Sequence, residues 1–203
     1  MACCTKWYSG YLDSPKQFII TMEIQQTGFR DLLVITPSVF ADDRGRFQES
    51  FNEAKFRVLT GLNVSFVQDN ESVSKKNVLR GLHFQIPPKG QAKLVRVSKG
   101  SVLDVVVDIR KTEPTFGQHF KVVLSAENAT QLYIPEGFAH GFLVLEEQTL
   151  FSYKCTNYYS KELERSLRWD DPAFAIVWGC DHPILSDRDS EAGLWSELDS
   201  PFF

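Results

Sequence analysis

Residues 101–111, SVLDVVVDIRK, alternate strictly, with Leu103, Val105, Val107 and Ile109 on one face and Val102, Asp104, Val106 and Asp108 on the other. A two-residue period is that of a β-strand. The Lys99-Gly100 turn before it predicts a tight hairpin back to a strand around 93–97. Outward from this pair, runs rich in Val, Ile, Phe and Leu recur at 28–36, 64–70, 78–85, 120–125, 130–134, 141–145 and 150–155. They are separated by turn chemistry such as Asp42-Asp43-Arg44-Gly45 and Pro135-Glu136-Gly137. One helix is expected at 52–59, opened by Asn52 and closed near Gly61, with a short second one close to 187–195. Many antiparallel strands and few helices predict an all-β barrel or jelly roll.

The 203 residues suffice for one substantial core. A single domain over 22–203 is therefore expected, with residues 1–21 as a detachable extension, because Met22 reads like a chain start. A formal charge of −4 and a pI near 5.6 argue against a nucleic-acid partner and favour a small ligand. Cys3, Cys4, Cys155 and Cys180 are spaced too irregularly for a disulfide framework or a paired zinc site, which points to a reducing, cytoplasmic setting. No export signal and no run of about 18 apolar residues occurs, so no membrane association is expected.

The densest polar stretch is VLRGLHFQIPPKGQAKLVRV, residues 78–97, with Arg80, His83, Gln85, Lys93 and Arg96. On a regular strand His83 and Gln85 share a face and Arg80 takes the other, unless Gly81 allows a bulge. Lys93 shares its face with Val95 and Val97, a costly place for a cation without a polar partner. It reads equally well as the solvated start of a strand, and His83 as a hydrogen-bonded core histidine. His140 in YIPEGFAHGF sits near a strand mouth, and Phe151, Tyr153 and Cys155 share a face in LFSYKCTNYY. By themselves both stretches read as structural. So does the charge run Asp187-Arg188-Asp189, as a solvated surface. His83, His119, His140 and His182 form no HxH pair, and neither a phosphate-binding glycine loop nor a GxSxG elbow is present. Neither cofactor nor metal is expected, so side chains must carry any chemistry.

In LRGLHFQ, QAKLVRV, VDIRK followed by PTFGQ, LSAEN, YIPEGFAHGF, YKCTNYYS and RWDDPA, in that order, the chain resembles the dTDP-4-dehydrorhamnose 3,5-epimerase family of the cupin superfamily. The resemblance runs from about Met22 to Leu194 and leaves out the first 21 residues. It implies a homodimer of cupin-like double-stranded β-helix barrels, each holding a dTDP-4-keto-6-deoxyhexose. It assigns His83 as general base with Asp189 as its carboxylate partner, Lys93 as the cation beside the C4 oxygen, and Tyr153 as the proton donor on the opposite face. A histidine suits the first role, since its unperturbed pKa of about 6.5 lets it accept a carbon-bound proton near neutrality.

The same resemblance places Arg44, Glu49, Gln68, Asp69, Asn70, Arg80, His140, Glu164 and Arg188 around nucleotide and sugar, with Tyr159 stacked on the thymine. Arg44 and Glu49 are expected from the partner subunit's side. Arg188 stands where some members carry lysine, which leaves its contact open. The implied reaction is epimerisation at C3 and C5 of dTDP-4-dehydro-6-deoxy-D-glucose, as in dTDP-L-rhamnose supply for cell-surface polysaccharide. Epimerisation at C3 alone, a metal-dependent cupin enzyme, and a non-catalytic sugar-nucleotide binding module are the competing readings.

Overall fold

The computed structural model describes residues 22–202. In chain order the elements are β1 (Met22–Gln26), β2 (Leu33–Pro37), β3 (Val39–Asp42), β4 (Gly45–Gln48), α1 (Glu53–Thr60), β5 (Gln68–Ser74), β6 (Leu79–Gln85) and β7 (Lys93–Lys99). There follow β8 (Ser101–Asp108), β9 (His119–Ser125), β10 (Gln131–Ile134), β11 (Phe138–Val144), β12 (Thr149–Cys155), β13 (Glu164–Ser166) and α2 (Asp187–Ser190). Six strands form one antiparallel sheet in the order β1-β2-β10-β7-β12-β5, and five form a second in the order β13-β6-β11-β8-β9. The expectation about residues 1–21 lies outside the described residues.

The two sheets face one another across a core in which Val95, Val97, Leu132 and Phe151 of the first meet Val102, Val106, Phe142 and Val144 of the second. Phe142 and Phe151 stack with ring centroids 4.0 Å apart. Truncating fully buried Phe151 to alanine would cost about 3–5 kcal/mol. The outer face of the five-stranded sheet is buried as well. Leu103, Val105 and Val107 pack under Leu167, Phe174, Trp178 and Phe202 of the chain after β13. That cover explains why both faces of 101–108 are apolar. On the other side α1 lays Phe56 over Leu33, Ile35, Leu94 and Tyr133.

The sandwich of two antiparallel sheets agrees with the expected jelly roll, and the solved structures described below share that architecture. The expected pairing across Lys99-Gly100 is overturned. β7 pairs with β10 and β12, whereas β8 pairs with β11 and β9. The turn carries the chain from one sheet to the other, because the inner faces of both strands must meet the same core. Gly100, at φ 77°, is pressed against Thr149 where a side chain would collide. The hairpin β3–β4 stands as its own two-stranded sheet; its turn at Asp42-Asp43-Arg44-Gly45 was expected, its strands were not. The helix at 52–59 appears as α1, with Asn52 accepting from the Lys55 N–H and Gly61 in the left-handed region. The second expected helix is only α2, followed by a single 3-10 turn at Trp195–Glu197.

Candidate active site

β6 carries an extra residue against β11. His83 is level with His140, but Arg80, three residues back, is level with Phe142. The bulge falls at Gly81, whose φ is +134° and whose α-carbon faces Gly141 so closely that a β-carbon would overlap it. Arg80 and His83 therefore line one cavity together, while Leu79 and Leu82 both enter the core behind the sheet. This resolves the tension in the sequence: both polar groups share a face because the strand is irregular there.

That cavity, of about 210 Å³, is walled by Arg80, His83, Lys93, His140, Tyr153 and Glu164 among others, with Arg188 at its edge. A neighbouring lobe of about 130 Å³ shares His83, Lys93, Tyr153 and Glu164 and adds Gln68, Asn70 and Tyr159. Each lobe is smaller than the roughly 300 Å³ at which drug-sized pockets begin. A hexose ring suits the interior, and anything larger must extend across the mouth.

His83 projects from β6, and its Nε2 lies 2.5 Å from Oδ1 of Asp189 on α2. The Asp189 side chain is 4 % exposed. Burial pushes its pKa upward, but hydrogen bonds from His83 and Ser186 and the charges of His83 and Arg188 outweigh this and hold it below the ordinary value. An ionised carboxylate only accepts, so it fixes the proton on Nε2 and leaves Nδ1 as the basic nitrogen.

Lys93 opens β7 on the opposite sheet. Burial lowers its pKa, opposed by Cys155, Glu164 and Asp104. Tyr153 comes from β12 beside it; burial first, then Cys155 and Glu164, raise its pKa, so the phenol keeps its proton. Sequence reasoning assigned no role to Asp104, which is fully buried and 2.9 Å from His140 Nε2. Burial raises the pKa of Asp104 and lowers that of His140, which favours the neutral form of this second pair. Its signal was present in 101–108, where an aspartate sits on an inner apolar face without the arginine that explains Asp108, namely Arg110 at 2.6 Å.

At the mouth, Tyr159 donates its hydroxyl to Glu164 at 2.9 Å, and Glu164 also accepts from Arg188. Gln68 receives the Tyr159 N–H at 2.9 Å and donates to Asn70 at 3.1 Å. Gln85 steadies the loop beneath by donating to the Lys89 and Tyr158 carbonyls and accepting the Ser160 N–H. Three expected residues are not brought to this cavity within the chain. Asp69 alternates to the outer face of β5 and pairs with Lys154 at 2.9 Å. Glu49 pairs with Lys55 at 2.7 Å. Arg44, its side chain 90 % exposed, pairs with Asp42 at the tip of the β3–β4 hairpin.

Residues 26–197 match the family model described as dTDP-4-dehydrorhamnose 3,5-epimerase. The chain belongs to this family. The dTDP-4-dehydrorhamnose 3,5-epimerase of Shigella flexneri is 53 % identical over 178 residues, covering 88 % of this chain and 98 % of that one. Among solved epimerase structures, that of dTDP-6-deoxy-D-glucose-3,5-epimerase from Legionella pneumophila, in complex with dTDP-4-keto-L-rhamnose, superposes with a TM-score of 0.86. It is 46 % identical and covers 90 % of this chain and 99 % of its own. A 3′-monoepimerase from Streptomyces bikiniensis in complex with dTDP-quinovose is more distant, at 36 % identity and a TM-score of 0.79, covering 83 % of this chain and 85 % of its own. Among the described residues of this family member no helix is long and apolar enough to cross a membrane.

Proposed function

We propose that the protein epimerises dTDP-4-dehydro-6-deoxy-D-glucose at C3 and C5, giving dTDP-4-dehydro-L-rhamnose. The observation that carries this reading is that His83 and Tyr153 stand on opposing sheets, on β6 and β12, and line one cavity with Lys93 of β7, the strand beside β12. A sugar ring lying between the sheets would present one face to each.

Hydrogens on C3 and C5 are acidic because each carbon adjoins the C4 ketone. Nδ1 of His83 takes the proton, the C–H pair moves into an enolate, and the charge collects on the C4 oxygen. A buried ammonium at Lys93 offers that oxygen a donor that is already desolvated. The Tyr153 hydroxyl then returns a proton from the opposite face, and the carbon inverts. Solvent restores both groups. Because C3 and C5 flank the same ketone, one base and one acid serve both carbons if the ring shifts between steps. Arg80 and Arg188 supply planar, permanently charged forks of the kind that bind a diphosphate, and Tyr159 offers an exposed ring to the thymine.

The working unit in this reading is a homodimer of one-domain chains spanning 22–203, acting in the cytoplasm. It would explain why Arg44 and Glu49 lie away from their own cavity: the β3–β4 hairpin, with Phe47 64 % exposed, extends outward to serve a second copy. The test is proton NMR of the keto sugar nucleotide in heavy water. Loss of both the C3 and C5 signals supports the double epimerase. Loss at C3 alone would make it a mono-epimerase, and retention of both would make it a binding module.

A further inference from the structure

We propose that Arg188 is a positioning residue that gates the base, covering His83 until a diphosphate draws its guanidinium away. This rests on the reading of His83 as the base. Nη2 of Arg188 lies 2.8 Å from Nε2 and 3.4 Å from Nδ1 of His83, so one guanidinium nitrogen covers both ring nitrogens. Asp189 already fixes the proton on Nε2, and a guanidinium can only donate. The guanidinium therefore lies over the ring, with its positive charge beside Nδ1, the atom that has to receive the substrate's proton. A cation held there covers that nitrogen and opposes its protonation.

The contact is held from the cavity wall. Arg188 Nη1 donates to Glu164, which accepts from Tyr159 as well, and Arg188 Nε is 3.9 Å from Asp189. An unbroken line thus runs from the ring at the nucleotide end, Tyr159, through Glu164 and Arg188 to the nitrogen at the sugar end. The Arg188 side chain is half-exposed, and a solvent-screened pair with Glu164 is readily exchanged for charge-assisted contacts to a diphosphate. Binding at one end frees the base at the other. A 4-keto sugar without its nucleotide would then be a poor substrate for a reason beyond weak binding, since nothing would lift the guanidinium.

Two readouts test this on the full-length protein. The first is labelling with diethyl pyrocarbonate, read at His83 by peptide mass spectrometry with exposed His182 as internal reference. Arg188→Gln, and independently Glu164→Gln, which cuts the anchor, should each raise the His83 labelling rate several-fold and leave His182 unchanged. Equal rates in all three proteins would overturn the gate. The second is deuterium exchange into a methyl glycoside of the 4-keto-6-deoxy sugar, with and without inorganic pyrophosphate. Wild-type exchange should rise when pyrophosphate is added, and Arg188→Gln should exchange without it and gain nothing from it. A wild type indifferent to pyrophosphate sinks the proposal. The labelling experiment needs no turnover, so it still measures the cover over His83 if His83→Gln turns out to leave exchange of the full substrate intact.

Discussion

At the scale of single residues, the proposed base and acid should fail differently when removed. His83→Ala should lower solvent exchange at both carbons roughly 10²–10⁴-fold, while dTDP affinity, measured by calorimetry, stays within a few fold. Tyr153→Phe should still wash deuterium into the sugar, because abstraction and return can both occur from the His83 side, yet yield little inverted product. If Tyr153→Phe inverts at the wild-type rate, the donor lies elsewhere. Lys93→Met should lower turnover on the order of 10²–10³-fold with little change in nucleotide binding. Asp189 adds a pH signature. Its folded-state pKa lies below the ordinary 3.8, so its ionised form stabilises the fold. That contribution is complete above the unfolded value and is lost as pH falls through the folded one. Asp189→Asn should be less stable than wild type near neutrality in urea titrations, with the gap closing below about pH 3.8. A gap that persists at pH 2.5, in the same titration, would assign the loss to packing rather than charge.

At the scale of elements, the bulge in β6 is what turns a list of polar residues into a cavity. Gly81→Ala would put a β-carbon into Gly141 at a φ that disfavours side chains, and should destabilise the protein by about 3 kcal/mol in equilibrium unfolding. A loss under roughly 0.5 kcal/mol would mean the bulge relaxes at no cost. Much of this scale was legible in advance. The alternation in 101–108 and the caps Asn52 and Gly61 are local physics, and local physics can be read from neighbouring residues. The β7–β8 hairpin was misread because a glycine turn looks the same whether the strands pair or part to different sheets; only the shared core decides. Asp104 was passed over for a related reason. Its partner His140 is 36 positions away and meets it across β11 and β8. The roles given to His83, Asp189, Lys93 and Tyr153 came from motif resemblance, since spacing alone left Asp189 and Tyr153 reading as structural and His83 and Lys93 evenly open.

At the scale of the whole molecule, the placement of Arg44 makes a prediction about mixed subunits. If Arg44 serves its neighbour's cavity, Arg44→Ala and His83→Ala proteins, each nearly inactive alone, should regain about a quarter of wild-type activity when unfolded and refolded together, because half the dimers then hold one intact site. Mixtures no more active than their parents would return Arg44 to its own chain. The route of the polypeptide after β13 has a consequence of a different kind. This segment lays Leu167, Phe174 and Trp178 on the outer face of the five-stranded sheet before it delivers Asp189 to His83, 106 residues after the histidine was made. During synthesis the barrel strands emerge first, and the imidazole waits without its carboxylate until residue 189 has been made. A ribosome that stalls, or a message cut short before codon 189, releases a chain whose histidine has no partner to orient it. The barrel strands alone leave the imidazole unpaired; the segment that follows them brings its carboxylate.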